Sequence, residues 1–465
     1  MHITDDIIYV GCNDHDIDLF EGQYDVRENG MAYNSYVILD ERPAVMDTID
    51  RNFTGEWLAN VEAALAGREP AYLVVHHMEP DHSASIAAFL ERYPQATVVS
   101  SKNAFKMMEN YFGREFAPNR EVVGEGSTLS LGRHELTFIG ARMVHWPEVH
   151  FSYDSADKVL FSADAFGKFG ALDVDEEWAC EARRYYFGIV GAFGKEVQAA
   201  LAKAAAFDVR TICPLHGPVL TENLGYYLDL YNTWSTYGVE SPGVAICYTS
   251  VYGHMKEAVE LLARLLEEKG CPKVAVSDLA RDDVAEAMED CFRYGTVVFA
   301  TTTYNNGVFP AMRHFLDDLV EHKFQKRTVG LVEGGTWAPK AAKHMQAKLE
   351  ACADLEFCKM IPAVKGGISD VTRAQLDVLA CELLGIVPDQ AMVVDSISAA
   401  TPTPKPPVDG YVGASPKVAH HLGGPAPAPG EPVEVKQPAP ARKPAMGGRP
   451  VPELPNIDFT TGAPL

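Results

Sequence analysis

The sequence predicts an α/β fold in two successive parts followed by a tail of different character. Three observations carry the prediction. Short apolar runs of strand type recur along the chain, each is followed by a turn rich in His, Asp or small polar residues, and helical periodicity follows the turn most clearly after residue 255. Open α/β sheets place ligands outside the carboxyl ends of their strands, so these turns are where chemistry is expected.

In the first part, the apolar run at 72–75 leads into His77-Met78-Glu79-Pro80-Asp81-His82, four potential metal ligands in six residues. On an extended backbone His77, Glu79 and Asp81 share one side, and His82 turns in behind them. The run 136–144 reads as a strand ending at His145-Trp146-Pro147. The run 158–162 ends at Asp164, and 209–213 ends at His216-Gly217-Pro218. Taken singly, each has an ordinary reading. There are fifteen histidines, most of them expected at the surface or hydrogen-bonded in the core, and Asp164 also suits a turn. The cluster at 77–82 is different, because burying two carboxylates and two imidazoles costs several kcal/mol unless something compensates the charge. It raises the standing of the three later positions. His77, Glu79, Asp81, His82, His145 and His216, with Asp164 as a bridge, would hold two cations about 3.5–4 Å apart. His76 points the other way, and His2, His15, His134, His150, His322, His344, His420 and His421 are read as structural or solvated. Nitrogen and oxygen donors without thiolate suit iron or manganese as well as zinc.

The second part begins near Ser241-Pro242-Gly243. Residues 243–248 read as a buried parallel-type strand, followed by Thr249, Ser250, Val251, Tyr252, Gly253, His254 and Met255, then a helix over 256–269. Strand, small polar loop and helix is a geometry that holds phosphate on backbone N–H groups. Residues 296–300 form a strand ending in a loop with Thr302, Thr303, Tyr304, Asn305, Asn306 and Gly307. Residues 328–332 form another, ending in Glu333, Gly334, Gly335, Thr336 and Trp337. Three such turns would face one edge of a doubly wound sheet, with Tyr252, Tyr304 and Trp337 available to cover a flat ring or simply to pack.

The H-x-E-x-D-H run with its later strand-end His, Asp and His resembles the metallo-β-lactamase-fold domain of flavodiiron proteins. Hydrolytic members of that superfold carry H-x-H-x-D-H and bind zinc, and here Glu79 stands for the second His. The resemblance implies an αββα metallo-β-lactamase-like sandwich over 1–241 holding two irons. One would sit on His77, Glu79 and His145, the other on Asp81, His82 and His216, with Asp164 bridging. The later loops resemble a flavodoxin-like FMN domain, assigned to 242–397. Segment 250–255 corresponds to the phosphate loop, 302–307 to the first flavin contact and 335–337 to the second. His254-Met255 and Ala300-Thr301-Thr302 depart from the commoner Asn-Thr and Gly-Ser-Pro. The family reduces dioxygen to water, nitric oxide to nitrous oxide, or both. A separate donor such as rubredoxin or a reduced deazaflavin supplies it with electrons. Its members form head-to-tail homodimers or dimers of dimers, in which the FMN of one subunit lies near the irons of the other. The alternative is a dizinc hydrolase with a flavodoxin-like passenger; Glu79 and the three loops speak against it.

Composition agrees with a cytoplasmic enzyme of two or three domains. No apolar stretch approaches twenty residues, and Met1 leads directly into polar residues rather than a signal peptide. A net charge of −24 argues against nucleic acid and anionic membranes as partners. The nine cysteines are scattered singly with no C-x-x-C, which argues against a disulfide framework or a rubredoxin module. Residues 398–465, dense in Pro, Ala and Gly, are expected to form an unstructured tail.

Overall fold

The computed structural model describes residues 1–113 and 116–397; the tail expectation at 398–465 lies outside the described residues. The first part is built on two sheets. One has six strands in the order Ile7–Tyr9, Tyr36–Ile38, Ala44–Met46, Tyr72–Val74, Thr97–Ser101 and Arg120–Val123. The other has five in chain order: Thr128–Ser130, Glu135–Gly140, His150–Asp154, Val159–Phe161 and Thr211–Cys213. Alternation of side chains along each strand explains why they stack. Tyr36, Ile38, Ala44, Met46 and Val74 of the first sheet meet Leu136, Phe138, Val159 and Phe161 of the second in one buried layer. Residues of opposite parity, Val37, Val45, Leu73 and Val98, face outward and are covered by Trp57, Val61 and Leu65 of helix Thr54–Leu65 and by Phe105 and Met108 of helix Lys102–Phe112. Val197 and Ala200 of helix Gly194–Ala204 cover the outer face of the second sheet. The result is an αββα sandwich.

A third sheet begins with strand Ser241–Tyr248. Its strands run Val274–Asp278, Ser241–Tyr248, Tyr294–Tyr304, Gln325–Gly334, Ala353–Phe357, all parallel, so the first strand in sequence lies between the second and the third. That is a doubly wound order whose switch point lies between the first and third strands. Both faces are covered. Val244, Ile246 and Val298 pack with Leu262, Leu376 and Leu379 on one side, and Ala245, Phe299 and Leu331 pack with Met312, Phe315 and Leu319 on the other. No helix among the described residues is long and apolar enough to cross a membrane.

Several boundaries differ from expectation. The extended reading of 77–82 fails at Pro80, which opens the short helix Pro80–Ser83, so Asp81 and His82 leave on a helical turn rather than a strand. The strand expected over 136–144 ends at Gly140, and His145 rides on the loop that follows. The loop expected at 301–307 is a hairpin, because the strand runs on to Tyr304. It pairs back through Gly307, with Asn305 and Asn306 at φ 47° and 63° making the tight turn that Asn favours.

Candidate functional site

All seven predicted metal-site residues converge between the carboxyl ends of the two sandwich sheets. His77 and Glu79 lie on the segment after strand Tyr72–Val74. Asp81 and His82 lie on helix Pro80–Ser83, and Asp164 and His216 follow strands Val159–Phe161 and Thr211–Cys213. Each strand therefore delivers its polar residue at the point where the ladder ends. Gly167 makes the closure possible, since a Cβ there would stand 2.9 Å from the Asp164 carbonyl and 3.4 Å from the His216 Cβ.

The donors fall into two sets. His77 Nε2 and His145 Nε2 approach Glu79 Oε2 at 3.2 and 3.0 Å, and the same nitrogens approach Asp164 Oδ2 at 3.3 and 3.2 Å. His82 Nε2 and His216 Nε2 each lie 3.2 Å from Asp81 Oδ2 and 3.0 Å from one another. The second Asp164 oxygen, Oδ1, faces His82 Nε2 at 3.4 Å. Asp164 thus turns one oxygen to each set. Two donors about 2.1 Å from a common ion and near a right angle stand about 3 Å apart, which is the spacing found throughout. Both oxygens of Asp81 and of Asp164 are buried without an aligned hydrogen bond among the described residues. Orphaned carboxylates cost several kcal/mol, and cations at the two foci would compensate them, so the side chains fit a metal pair.

Without cations, protons take that place. Burial opposes a charged His77, yet Asp164, Glu148 and Glu79 hold its imidazolium well above the usual histidine range. The same opposition leaves His145 raised to about 9, with Asp164 and Glu79 prevailing over burial. His82 is likewise raised by Asp81 and Asp164 against burial. Glu79 and Asp164 are held low by these imidazoles although burial pushes them up.

Aromatic rings wall the site. Trp146 stands edge-on to His77 at 5.2 Å, while Phe20 and Tyr185 approach His216 at 5.4 and 5.5 Å. Three residues beyond the seven predicted ligands contribute, and no spacing pattern marks them. Glu148 accepts from His77 Nδ1 at 2.9 Å. Asp47 accepts from the backbone N–H of His76 and His77 at 2.6 and 3.4 Å. Glu21, on the turn between the paired strands Leu19–Phe20 and Tyr24–Asp25, lies beside Glu79; burial and then that neighbour push it up to about 7. His76 is held by Asp47 and Ser152, outside the donor sets as expected.

At the carboxyl edge of the third sheet a cavity of about 650 Å³ gathers the other predicted positions. Ser250, Val251, Tyr252, His254, Met255, Thr302, Thr303, Tyr304, Asn305, Asn306, Gly335, Thr336 and Trp337 line it, joined by Gly334, Ala338, Val364 and Gly366. Gly253 and Gly307 do not line it. Gly253, at φ 96°, takes the left-handed conformation at the start of helix His254–Glu268, and Gly307 borders a neighbouring groove. Ser250 Oγ accepts from the Gly253 N–H at 3.1 Å and so folds the loop back over the helix N-terminus. Tyr252 and Trp337 are 90% and 91% exposed at the rim, with nothing among the described residues covering them.

A family model described as "ODP family beta lactamase" matches residues 31–217. A nitric oxide reductase of Moorella thermoacetica is 31% identical over 364 residues, spanning 75% of this chain and 89% of the relative. Two solved structures share the fold at 24% identity. The flavodiiron protein of Giardia intestinalis aligns with TM-score 0.75 over 82% of this chain and 95% of its own. The rubredoxin oxygen:oxidoreductase of Desulfovibrio gigas aligns with TM-score 0.77 over 86% and 100%.

Proposed function

The chain belongs to the flavodiiron proteins, and from that premise we propose that this oxidoreductase reduces dioxygen to water, nitric oxide to nitrous oxide, or both, at a diiron site supplied by FMN. The observation that carries the reading is the pair of donor sets sharing Asp164, with Glu79 where a zinc hydrolase would carry histidine. Residues 1–241 are taken as the diiron domain and 242–397 as the FMN domain. When bound, the metal pair would supply a binding place and electrons for a diatomic gas, and the flavin would supply the electrons that replace them. Dioxygen takes four electrons and four protons to give two waters; two nitric oxides take two of each to give nitrous oxide and one water.

The residues of the chain set the conditions for this. His77, Glu79 and His145 would hold one iron and Asp81, His82 and His216 the other, with Asp164, which turns one oxygen to each set, shared between them. Two carboxylates and a shared third offset the charge of two divalent ions far better than neutral imidazoles alone. The rings of Trp146, Phe20 and Tyr185 keep bulk water from the buried ligand face. Around the second cavity, the loop 250–255 would direct N–H groups at the FMN phosphate, and Tyr252, Tyr304 and Trp337 would cover the ring. The proposal includes a head-to-tail dimer that brings one subunit's flavin to the other's irons, and a separate rubredoxin-type or deazaflavin donor.

Absorption spectroscopy and metal analysis of the purified protein test this. A bleachable flavin band with about two irons per chain supports it, and so does anaerobic consumption of either gas with a reduced donor. Stoichiometric zinc without flavin would sink it.

A further inference from the structure

The histidines of the two donor sets are backed differently on their far sides. His77 Nδ1 donates to Glu148 Oε1 at 2.9 Å, and the Met78 N–H donates to the same oxygen at 2.9 Å. The Glu148 side chain is wholly buried. His216 Nδ1 donates to a neutral partner, the Ala32 carbonyl at 2.8 Å, and His82 Nδ1 is buried without a partner among the described residues. An anion behind an imidazole fixes which nitrogen carries the proton, turns the other lone pair forward, and strengthens the ring as a donor. A carbonyl does this more weakly.

Glu148 also sits on the loop that carries His145, three residues on. Ser101 Oγ donates to the Glu148 carbonyl at 3.0 Å, and the same hydroxyl caps helix Lys102–Phe112, which ties that loop to the first sheet. One short segment therefore presents His145 and, from behind, orients His77. Both belong to the same donor set.

We propose that Glu148 is a positioning residue that makes the two metal positions unequal, holding His77 in register with His145 so that the His77–Glu79–His145 position binds its ion more tightly and fills first. This rests on the two-metal reading of the site. A role confined to packing would leave the two positions equally affected by its loss.

Titration of the metal-depleted full chain with cobalt(II), followed by ligand-field absorption and chelator competition, separates these. The wild type is expected to take up two equivalents, the first tighter. In Glu148→Gln, which keeps the shape and can still accept from His77 but loses the negative charge, the first equivalent should weaken by about 10–100-fold while the second is unchanged. Glu148→Ala should weaken it at least as much. Equal weakening of both equivalents, or no change in either, overturns the proposal. So does a metal-free Glu148→Gln that fails to fold, read from its circular dichroism melt, since that assigns Glu148 to the fold. A wild-type chain that takes up no cobalt overturns the two-metal reading and this proposal with it; two equivalents in a wild type matched by Glu148→Gln overturn this proposal alone.

Discussion

His82 Nε2 and His216 Nε2 face each other at 3.0 Å inside the protein, a separation at which two lone pairs repel unless a proton or a cation lies between them. The metal-free chain must therefore carry protons that the loaded chain does not. His145, raised to about 9 by Asp164 and Glu79 against the pull of burial, is the clearest case, and His77 and His82 shift the same way. A group whose folded pKa is raised stabilises fully below its unfolded value, about 6.5, and loses that contribution as pH rises through the folded value. The melting temperature of metal-free protein should accordingly fall between about pH 6.5 and 9. Metal affinity should rise over the same interval, because ions and protons compete for the same nitrogens. Melts of stripped protein across that range check this; a flat or rising melting temperature would count against it.

Asp164 faces both donor sets, through different oxygens. Asp164→Ala should lower gas reduction by about a hundredfold or more, since several kcal/mol of charge stabilisation and the fixed spacing go together. Flavin content should be unchanged, because the FMN-type cavity is built wholly from residues 250–366. Wild-type turnover in this variant would remove the bridging assignment.

Glu79's place in the donor cluster, and its departure from the H-x-H-x-D-H of zinc hydrolases, were legible because its position in H-x-E-x-D-H is a matter of local spacing. The doubly wound sheet was legible for a related reason: strand, turn and helix recur in register along the chain. Glu148 and Asp47 were not. Glu148 follows His145 by three residues, but its partner His77 is 71 residues away in sequence, so no local pattern announces the pairing. Asp47, just past the neighbouring strand Ala44–Met46, supports the His76–His77 backbone from 29 residues away in sequence, and it escapes local pattern for the same reason. The helical turn at Pro80 was signalled by the proline itself, which favours the first position of a helix, yet the alternating pattern around it read as extended.

Tyr252 and Trp337 stand at the rim of the 650 Å³ cavity with about nine-tenths of their surface exposed, an arrangement that leaves two large rings to be covered by something. If that is an isoalloxazine ring, Trp337 fluorescence should be quenched when FMN is added to flavin-free protein. Trp337→Ala should weaken FMN by about tenfold, the value of one stacked aromatic pair. The metal content should not change. Unaltered FMN affinity in both Trp337→Ala and Tyr252→Ala would place the flavin elsewhere.

Arg327 is buried at 2% exposure and has no carboxylate partner among the described residues. Its guanidinium donates instead to the carbonyls of Tyr237, Gly238, Cys291, Phe292, Gln325 and Lys326. These belong to the segment entering the third sheet, the end of helix Val284–Arg293, and the start of strand Gln325–Gly334. Burial pulls the group down to about 10, still charged at neutral pH. Only a planar fork with five N–H donors reaches so many acceptors, so lysine is not an equivalent. Arg327→Met removes a buried charge but leaves several carbonyls unpaired at once, and the second effect dominates because each orphaned acceptor costs about 1–3 kcal/mol. The net loss should be about 3 kcal/mol, read as a drop of several degrees in melting temperature, with Arg327→Lys giving little recovery. Iron and flavin content per folded chain should stay at wild-type values, since none of the six carbonyls belongs to either site. A melting temperature within about a degree of wild type would show that water satisfies those carbonyls as well as the guanidinium does.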